Sequence, residues 1–542
     1  MPTYNQDVKI KARRAALRQA IKTLTRERTN ATLASRDYLR RMWKELTQSD
    51  TLQDRLYNAQ LTAATIKRWE RFYDSAIGSK KPSELKVAYL CGPEPLNDLE
   101  VLMNCGVLPE NVWAFESNSK EYETAVAAAL NSAYPFLKIV KTDLRLFLEA
   151  TPIKFDLIYL DFCGPLYNRD DKQKNLPTLT AIAKHQSLNS PGVLLTNFSL
   201  PSATQDPEGY RILSRLTAGY LYPKSFLENP NGYWGVTEGP PVHSIYEKQW
   251  DSKVARNLPG YYGQFITRLV MDIFNYLVPA DRFISNPRYV SSFFKIYNEK
   301  NKLLETLDTE LVALYDFDDS DGGGGDMQID PGFFSASWTF AAYSGRWPHT
   351  QDDAEFIKHG KRMIRQLAAF STTEEEFARK LVSYQYLMTE GVHQRNFYSD
   401  SLKSIAKGWL ATSRYQFCDL FLFHQVKDLL VRQISVPYQV NVEKTKRWTY
   451  WAKETQMFMD MTVLDECRYL YDWMPTLDML KENLKNEEME LSIRYILDAL
   501  GKHTRWYYEE IFYGTAVVDV DRPGFEAKTF AKRVKLRSPK PI

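Results

Sequence analysis

Four acidic residues each follow a short apolar segment, an arrangement that could build a binding site for hydrogen-bond donors. In chain order they are Glu94, Glu116, Asp143 and Asp161. A carboxylate accepts hydrogen bonds from hydroxyl and amine groups, and it can accept two at once from adjacent hydroxyls. A ligand rich in such donors is therefore the first hypothesis, provided that the fold brings the four side chains together.

The segments around these acids indicate a fold that would do so. Five short apolar runs predict β-strands, at 85–90, 111–115, 137–140, 155–160 and 192–197. Helical patterns separate them, near 96–103, 119–131, 143–149 and 176–186. This alternation predicts an α/β fold with a Rossmann-like, mostly parallel sheet and right-handed crossovers. Ligands of such sheets bind outside the carboxyl ends of the strands, where the four acids would lie.

The order and spacing of these motifs resemble the class I S-adenosylmethionine-dependent methyltransferases, over roughly residues 85–200. The resemblance implies this type of sheet and S-adenosylmethionine as the cofactor. In that family the turn after the first strand is glycine-rich. Here the turn reads Cys91-Gly-Pro-Glu-Pro, with one glycine and two prolines, and each proline removes a backbone amide donor.

The resemblance also implies a role for each residue at the strand ends. Gly92 and Glu94 lie in the turn that would approach the methionine end of the cofactor. Glu116 would bind the ribose hydroxyls and Asp143 the adenine amine, while Leu144 would lie against the adenine ring.

The turn after the fourth strand is the predicted catalytic segment. Its sequence, Asp161-Phe-Cys-Gly-Pro-Leu-Tyr, is similar to the Asp/Asn-Pro-Pro-aromatic motif of base amino-methyltransferases and to the Asp-Pro-Phe-Gly of transfer-RNA guanine dimethyltransferases. The resemblance implies that Asp161 orients a target amine and that Phe162 or Tyr167 stacks on a flipped base. Alternatively, Asp161 caps the turn and Phe162 belongs to the core. Asn197 either lines the substrate mouth or ends the fifth strand.

Other chemistries are disfavoured by the motifs. Cys163 lacks the preceding proline of cytosine C5-methyltransferases, so a nucleophilic role is the less favoured interpretation. The His spacing matches no zinc motif and no Cys-x-x-Cys occurs, so no metal site is predicted. Neither Gly-x-Gly-x-x-Gly nor a Walker A sequence is present, which disfavours a dehydrogenase and an NTPase.

The composition is that of an ordinary globular protein of 542 residues, with 44% hydrophobic residues. No transmembrane run and no secretory signal is evident, and five widely spaced cysteines indicate a reducing compartment, so a cytoplasmic location without a membrane partner is predicted.

The sequence divides into five predicted regions. They are a helical N-terminal region (1–80), the Rossmann-like domain (81–315), an acidic glycine-rich linker or loop (316–330), a helical C-terminal domain (331–527) and a basic tail (528–542).

Some finer expectations accompany this division. Residues 288–297 and 310–315 are predicted to be the last two strands of the sheet. Residues 204–260 show no clear periodicity, and 350–515 are predicted to be mostly helical. The aromatic cluster at Trp448-Thr-Tyr-Trp is interpreted as helical core in preference to a base-stacking surface.

The charge is nearly balanced overall but concentrated at the two ends. The net charge is +3 at pH 7, whereas residues 1–50 carry +7 and residues 528–542 carry +6, which leaves −10 on the rest. Basic ends on a mildly acidic body favour contact with a nucleic-acid backbone, and Lys532-Arg-Val-Lys-Leu is also compatible with a nuclear address. Solvated helix faces and a loose tail are the alternative interpretation.

Two classes of function remain open. The first is an enzyme that transfers a methyl group from S-adenosylmethionine to a nucleic-acid base in RNA or DNA, most directly to an exocyclic amine. The helical flanks would then bind the substrate or a protein partner. The second is a catalytically inactive methyltransferase-like scaffold or ligand sensor in a larger assembly. The turn at 91–95 discriminates between them, because it either admits or blocks the methionine end of the cofactor.

Overall fold

A computed structural model describes the protein at residues 6–32, 35–48, 62–162, 164–168, 174–221, 251–286, 288, 354–368, 400, 438–466 and 532–537. A mixed sheet of nine strands lies at the centre of this described part. The strands are β1 (Val87–Leu90), β2 (Val112–Phe115), β3 (Lys138–Val140), β4 (Phe155–Asp161), β5 (Leu188–Ser199), β6 (Gln439–Val440), β7 (Lys446–Ala452), β8 (Thr455–Asp465) and β9 (Val534–Lys535).

The strand order is β3-β2-β1-β4-β5-β8-β7-β9, and β6 also pairs with β8. Strands β1 to β5 run parallel, β8 is antiparallel to β5, and β7 returns to the parallel direction with β9 beside it. The first five strands follow the doubly wound order, with the switch point between β1 and β4. The prediction of an α/β fold with a mostly parallel sheet is confirmed.

Helices cover both faces of the sheet. They are α1 (Asp7–Leu24), α2 (Arg28–Ala31), α3 (Tyr38–Gln48), α4 (Ala63–Ile77), α5 (Leu96–Asn104), α6 (Ser119–Leu130), α7 (Leu144–Ala150), α8 (Asn175–Lys184), α9 (Pro207–Leu221), α10 (Leu258–Asp272), α11 (Val278–Ile284) and α12 (Ala354–Ala368). Short 3₁₀ turns lie at Pro82–Glu84, Pro109–Asn111 and Val442–Lys444, and the π-helical turn Ile273–Leu277 joins α10 to α11. One apolar core joins α1, α5 and α6 to the sheet, while α7 to α12 pack together and α10 lies against β8.

The pairing register brings the carboxyl ends of the parallel strands to one edge, here called the carboxyl edge. Leu90 at the end of β1 lies beside Phe115 at the end of β2, and Phe115 lies beside Val140 of β3. The alignment continues past the strands, since the backbone N–H of Glu116 donates to the carbonyl of Val140 at 3.2 Å. Because β4 and β5 continue the same parallel register, the acids that follow these strands share one edge.

Helix α1 packs closely on the sheet because its inner side is made of small and aliphatic residues. Ala12, Ala16 and Ala20 are completely buried in the core that α1 shares with the strands. The first turn of α1 lies at the carboxyl edge, where Lys9 contacts the end of β4. Just beyond its last turn, Arg28 donates to the backbone at the start of β5, at the opposite edge. The helix that we assigned to a separate N-terminal region is therefore a layer of the α/β core.

A hairpin lies where the sequence was predicted to be helical. Strands β7 and β8 fall within 331–527, so the helical prediction is wrong for the strands at 439–465. Trp448 and Tyr450 alternate with residues that face the other side of the sheet, which is the period of a strand. Lys453, in the turn between them, has a φ of +55°, in the left-handed region that tight hairpin turns use.

The predictions for residues 204–260 and for the segments that follow them have different outcomes. Helix α9 forms within 204–260, where no periodicity was evident. The strand expected at 288–297 is described only at Arg288, and the strand expected at 310–315 and the linker at 316–330 lie outside the described residues. The division into domains stays a prediction. Of the described helices, none combines the length and the apolar character needed to cross a bilayer.

Part of the basic tail forms the edge strand β9, which a half-buried arginine, Arg533, attaches to the sheet. Arg533 forms an ion pair with Asp460 of β8 at 2.5 Å. It also donates to the carbonyls of Trp448 and Gly263 and to the hydroxyl of Thr267. A Cβ built on Gly263 would lie 3.1–3.2 Å from ring carbons of Phe458 in β8 and from the Arg533 guanidinium, so a larger residue would force these side chains to shift. The described tail segment is therefore part of the sheet, and one of its cations, Arg533, is paired with Asp460 inside the protein.

Candidate functional site at the carboxyl edge

Asp161, at the end of β4, is held by partners from two elements, β5 and α1. Its Oδ1 accepts a hydrogen bond from the Asn197 side-chain amide at 2.7 Å, and its Oδ2 lies 3.1 Å from the Lys9 ammonium of α1. The same amide of Asn197 donates to the Tyr450 hydroxyl of β7 at 2.9 Å. Burial, followed by the negative charge of Asp161, raises the pKa of Tyr450, so this hydroxyl stays neutral at physiological pH.

The Asn197 side chain has an unsatisfied acceptor beside Asp161. Asn197 is completely buried within β5, which continues to Ser199, so it does not end the strand. Its Oδ1 accepts no hydrogen bond from the described residues. A buried acceptor without a donor costs about 1–3 kcal/mol, and such atoms in native proteins call for an explanation. A ligand N–H at this position would supply the donor.

A second ion pair fixes α1 next to the turn after β1. The Arg13 guanidinium lies 2.6 Å from the Asp98 carboxylate of α5, and both side chains are buried. Burial raises the pKa of Asp98 to about 6, and the charge of Asp161 raises it further, while Arg13 opposes the shift. Arg13 and Lys9 thus bring two cations to the two buried or half-buried acids at this edge.

The turn after β1 is closed by hydrogen bonds but leaves space above its glycine. The Tyr89 hydroxyl, buried in β1, donates to the carbonyl of Pro95 at 2.7 Å. Glu94 accepts from the Asn97 side chain at 2.6 Å. Gly92 has a φ of +57°, and a Cβ built on it would have no atom within 4 Å. The backbone at Gly92 is therefore accessible to a ligand on the outer side of the turn.

Glu116, at the end of β2, lies close to a second carboxylate. One oxygen of Glu116 accepts from the backbone N–H of Asn118 at 2.7 Å. Burial raises the pKa of Glu116, and the negative charge of Glu121 raises it further, while the Asn118 N–H opposes the shift. Two adjacent carboxylates are favourable for a ligand with two hydroxyl donors, because each oxygen atom can accept one.

Asp143 and Leu144 have local structural roles at the end of β3. Asp143 is the N-cap of α7 and accepts from the backbone N–H of Arg145 at 2.8 Å. Leu144 is 2% exposed and packs under this helix. A cap uses one carboxylate oxygen, which leaves the other oxygen of Asp143 for an amine donor.

The aromatic rings proposed for base stacking pack inside the protein. Phe162 is 8% exposed and stacks on Phe198 with 5.3 Å between the ring centroids. Tyr167 is 3% exposed, and its hydroxyl shares a hydrogen bond with Nδ1 of His359 at 2.7 Å. These placements correspond to the alternative core interpretation of Phe162. Cys163 lies outside the described residues.

Four side chains of this site were not among the predicted residues: Lys9, Arg13, Asp98 and Tyr450. Their positions depend on α1 and β7 packing beside β4 and β5, which are distant in the sequence. The alanines of α1 at three- and four-residue spacing were the available signal, since small residues permit close packing of a helix on a sheet.

Comparisons with protein-family models, with curated proteins and with solved structures found no match to this chain. Within the described part of the chain, no group of three or more His, Cys, Asp and Glu side chains could hold a metal ion. The residues of the site are therefore what indicates its chemistry.

Proposed function

We propose that the protein is an S-adenosylmethionine-dependent methyltransferase whose target is a nitrogen atom of a nucleic-acid base. The observation that carries the proposal is the unsatisfied acceptor of Asn197 beside Asp161, at the same carboxyl edge as the accessible turn at Gly92. A doubly wound sheet binds ligands outside the carboxyl ends of its strands near the switch point, and these residues lie there.

The described residues fit the parts of this cofactor. The space above Gly92 suits the methionine end, and the paired carboxylates at Glu116 and Glu121 suit the ribose hydroxyls. Asp143 offers an acceptor for the adenine amine, whereas Leu144 is buried and presents no surface to the ring. Lys9 is the cation placed to hold the carboxylate of the methionine end, because its ammonium already lies on an acid at this edge.

The chain's own groups can orient an amine substrate. S-adenosylmethionine, when bound, supplies an electrophilic methyl group. Asn197 Oδ1 would accept one N–H of the target amine and the Asp161 carboxylate a second, which directs the nitrogen lone pair outward. Asp161 is also the group in position to receive the proton that the methylated nitrogen releases, and the Lys9 ammonium and the Asn197 amide fix the position of its carboxylate.

Calorimetric titration of the full chain with S-adenosylhomocysteine tests the proposal. We expect a saturable one-to-one interaction at about micromolar concentration, since cofactor contacts of this type supply about 8 kcal/mol. The matched control is adenosine, which lacks the amino-acid end and should bind more weakly if Lys9 holds the carboxylate. Absence of heat at millimolar S-adenosylhomocysteine would contradict the methyltransferase assignment.

Removing the Glu116 carboxylate should weaken cofactor binding. Glu116→Ala deletes a charge-assisted acceptor worth about 1.5–3 kcal/mol, so the Kd for S-adenosylhomocysteine should rise about 10-fold to 150-fold. Because burial raises the pKa of Glu116, wild-type affinity should also fall on acidification at a higher pH than an exposed glutamate would give. Glu123→Ala, an exposed change on α6, is the control, and equal Kd values for all three proteins would remove Glu116 from the site.

Asp161 should matter more for methyl transfer than for cofactor affinity. In Asp161→Ala, transfer of labelled methyl groups to RNA or DNA should fall by about 100-fold, the lower end of general acid–base effects. The Kd for S-adenosylhomocysteine should change little by comparison. Asp161→Asn, which keeps the shape, checks that the charge is responsible. If Asp161→Ala fails to fold while Asp161→Asn folds and retains full activity, Asp161 is a structural cap.

The inactive scaffold remains the second candidate, and one observation favours it. Pro93 and Pro95 remove two amide donors from the turn that would contact the methionine end. A protein that binds neither S-adenosylhomocysteine nor S-adenosylmethionine in the titration would have this function.

A further inference from the structure

The sheet edge formed by the end of β7 and by β9 carries an exposed tryptophan next to basic residues. Trp448 pairs with Val534 and Thr449 with Lys535, and Leu536 donates its N–H to the carbonyl of Thr449. Continuing this register places Arg537 beside Trp451. Because side chains alternate along a strand, Lys535, Arg537 and Trp451 project from the same face of the sheet.

The exposure of Trp451 is unusual for its position. Its side chain is 58% exposed, whereas its neighbours Trp448 and Tyr450 are buried in the core. Trp43 and Phe136 are the other exposed aromatic residues in the described part of the chain, and they lie on α3 and before β3. Trp451 is thus the exposed aromatic residue that the described structure places at the carboxyl edge, since β7 ends there.

The charge around Trp451 is positive. Lys453, Lys535 and Arg537 are exposed on the hairpin turn and the tail strand, and the acid on these segments is Glu454. Arg533 does not add to this surface, because its charge is neutralised by Asp460 inside the protein. The three exposed cations and Trp451 are called the β7–β9 edge below.

The β7–β9 edge is also connected to the candidate site. Tyr450 precedes Trp451 in β7, and its hydroxyl accepts from the Asn197 side chain that holds Asp161. Trp451 and Asp161 both lie at the carboxyl edge, on β7 and β4, which are three strands apart in the sheet order. At about 4.8 Å per strand, a polymer lying along this edge would span about 14 Å from Trp451 to Asp161. The buried rings of Phe162 and Tyr167 leave the stacking role to an exposed aromatic residue.

We propose that the β7–β9 edge binds single-stranded nucleic acid, with a base stacked on Trp451 and phosphates on the surrounding cations. An aromatic ring within a positively charged track is the combination by which proteins hold single strands without reading their sequence. This surface would bind the substrate strand of the proposed methyltransferase and lead it towards Asp161. Its role in catalysis rests on the proposed function.

The test is binding of a fluorescent single strand of about 20 nucleotides, longer than the roughly 4–16 nucleotides that one such surface covers. Trp451→Ala should weaken binding about 5-fold to 150-fold, and Trp451→Phe should restore most of it. Trp43→Ala, an exposed tryptophan on α3, is the matched control and should leave the affinity unchanged.

Charge reversal tests the phosphate contacts. In Lys535→Glu/Arg537→Glu, the slope of log affinity against log salt should become shallower by about 1.4, which corresponds to two phosphate contacts on a single strand. Lys44→Glu/Lys67→Glu makes the same charge change on α3 and α4 and should keep the wild-type slope.

The outcomes separate this surface from the proposed function. Equal losses in the edge variants and their controls, or no binding of RNA or DNA strands at low salt, would overturn the surface and leave a protein partner as the better candidate. S-adenosylhomocysteine should bind all of these variants like the wild type. Strand binding without any cofactor binding would keep the surface and reject the methyltransferase.

Discussion

Replacing Arg13 by methionine should destabilise the protein by about 3–5 kcal/mol, because it leaves the buried Asp98 carboxylate without its cation. The effect should depend on pH. Burial raises the pKa of Asp98 to about 6 from an ordinary value of 3.8, so ionising it in the folded protein lowers stability as the pH rises through this interval. Without Arg13 the pKa of Asp98 moves higher still. The loss should therefore be largest above neutral pH and smaller near pH 5, where Asp98 binds a proton.

Urea unfolding at about pH 5 and about pH 8 measures this prediction. Arg14→Met is the matched control, since Arg14 is exposed on the same helix and its loss should change stability by no more than about 0.5 kcal/mol. Arg13→Met/Asp98→Leu should regain much of the stability, because an apolar pair replaces the buried ions. A loss that is the same at both pH values would show that Asp98 is not the group left unpaired.

Replacing Arg533 by methionine should have an effect of similar size at the other end of the chain. Asp460 is 1% exposed, and Arg533 is its cation, so the expected loss is about 3–5 kcal/mol. The substitution also removes donors to the carbonyls of Trp448 and Gly263. We expect β9 to separate from β7 before the rest of the sheet unfolds.

Hydrogen exchange at Val534–Lys535 and at Leu536 reports that separation, and urea unfolding reports the total loss. Lys535→Met is the control, because Lys535 is exposed on the same strand and should cost no more than about 0.5 kcal/mol. If Arg533→Met and Lys535→Met behave alike, the ion pair with Asp460 is not what attaches the tail.

The central parallel strands could be predicted because local and tertiary signals agree there. Strand β4 is buried along nearly its whole length, and both its apolar run and the acid at its end are visible in the sequence. The same holds for β1, which ends at Leu90, two residues before Gly92 with its φ of +57°. A strand that is covered on both faces has a continuous apolar sequence. Strands β1 and β4 could therefore be identified without knowledge of their distant partners.

The hairpin of β7 and β8 could not be predicted in the same way. Strand β8 contains alternating large residues such as Met457 and Met459, which face the same core as α1. Met, Leu and aromatic side chains suit helices and strands alike, and the surrounding sequence has helical character. The antiparallel pairing with β5 decided the structure, and that partner lies far away in the chain.

The positions of the acids at the site could be predicted from the sequence, but the residues that α1 and β7 place around Asp161 could not. Glu116 and Asp161 occupy the predicted strand ends. The environment of Asp161, however, depends on Lys9 and on Tyr450, which belong to a helix before β1 and to a strand after α12. For Phe162 the position after β4 was predicted, but the direction of the ring was not. The ring packs on Phe198 inside the protein and not on a ligand surface.

The position of β8 in the sheet has a consequence for synthesis on the ribosome. Strand β5 pairs along its length with β8, yet roughly 250 residues separate the two in the chain, so at about 5–20 residues per second the partner follows after about 13–50 seconds. Throughout that interval the nascent chain holds β1 to β5 with one open, apolar edge. Such an edge is a template for pairing with another nascent chain, and a molecular chaperone that covers it would raise the yield of folded protein.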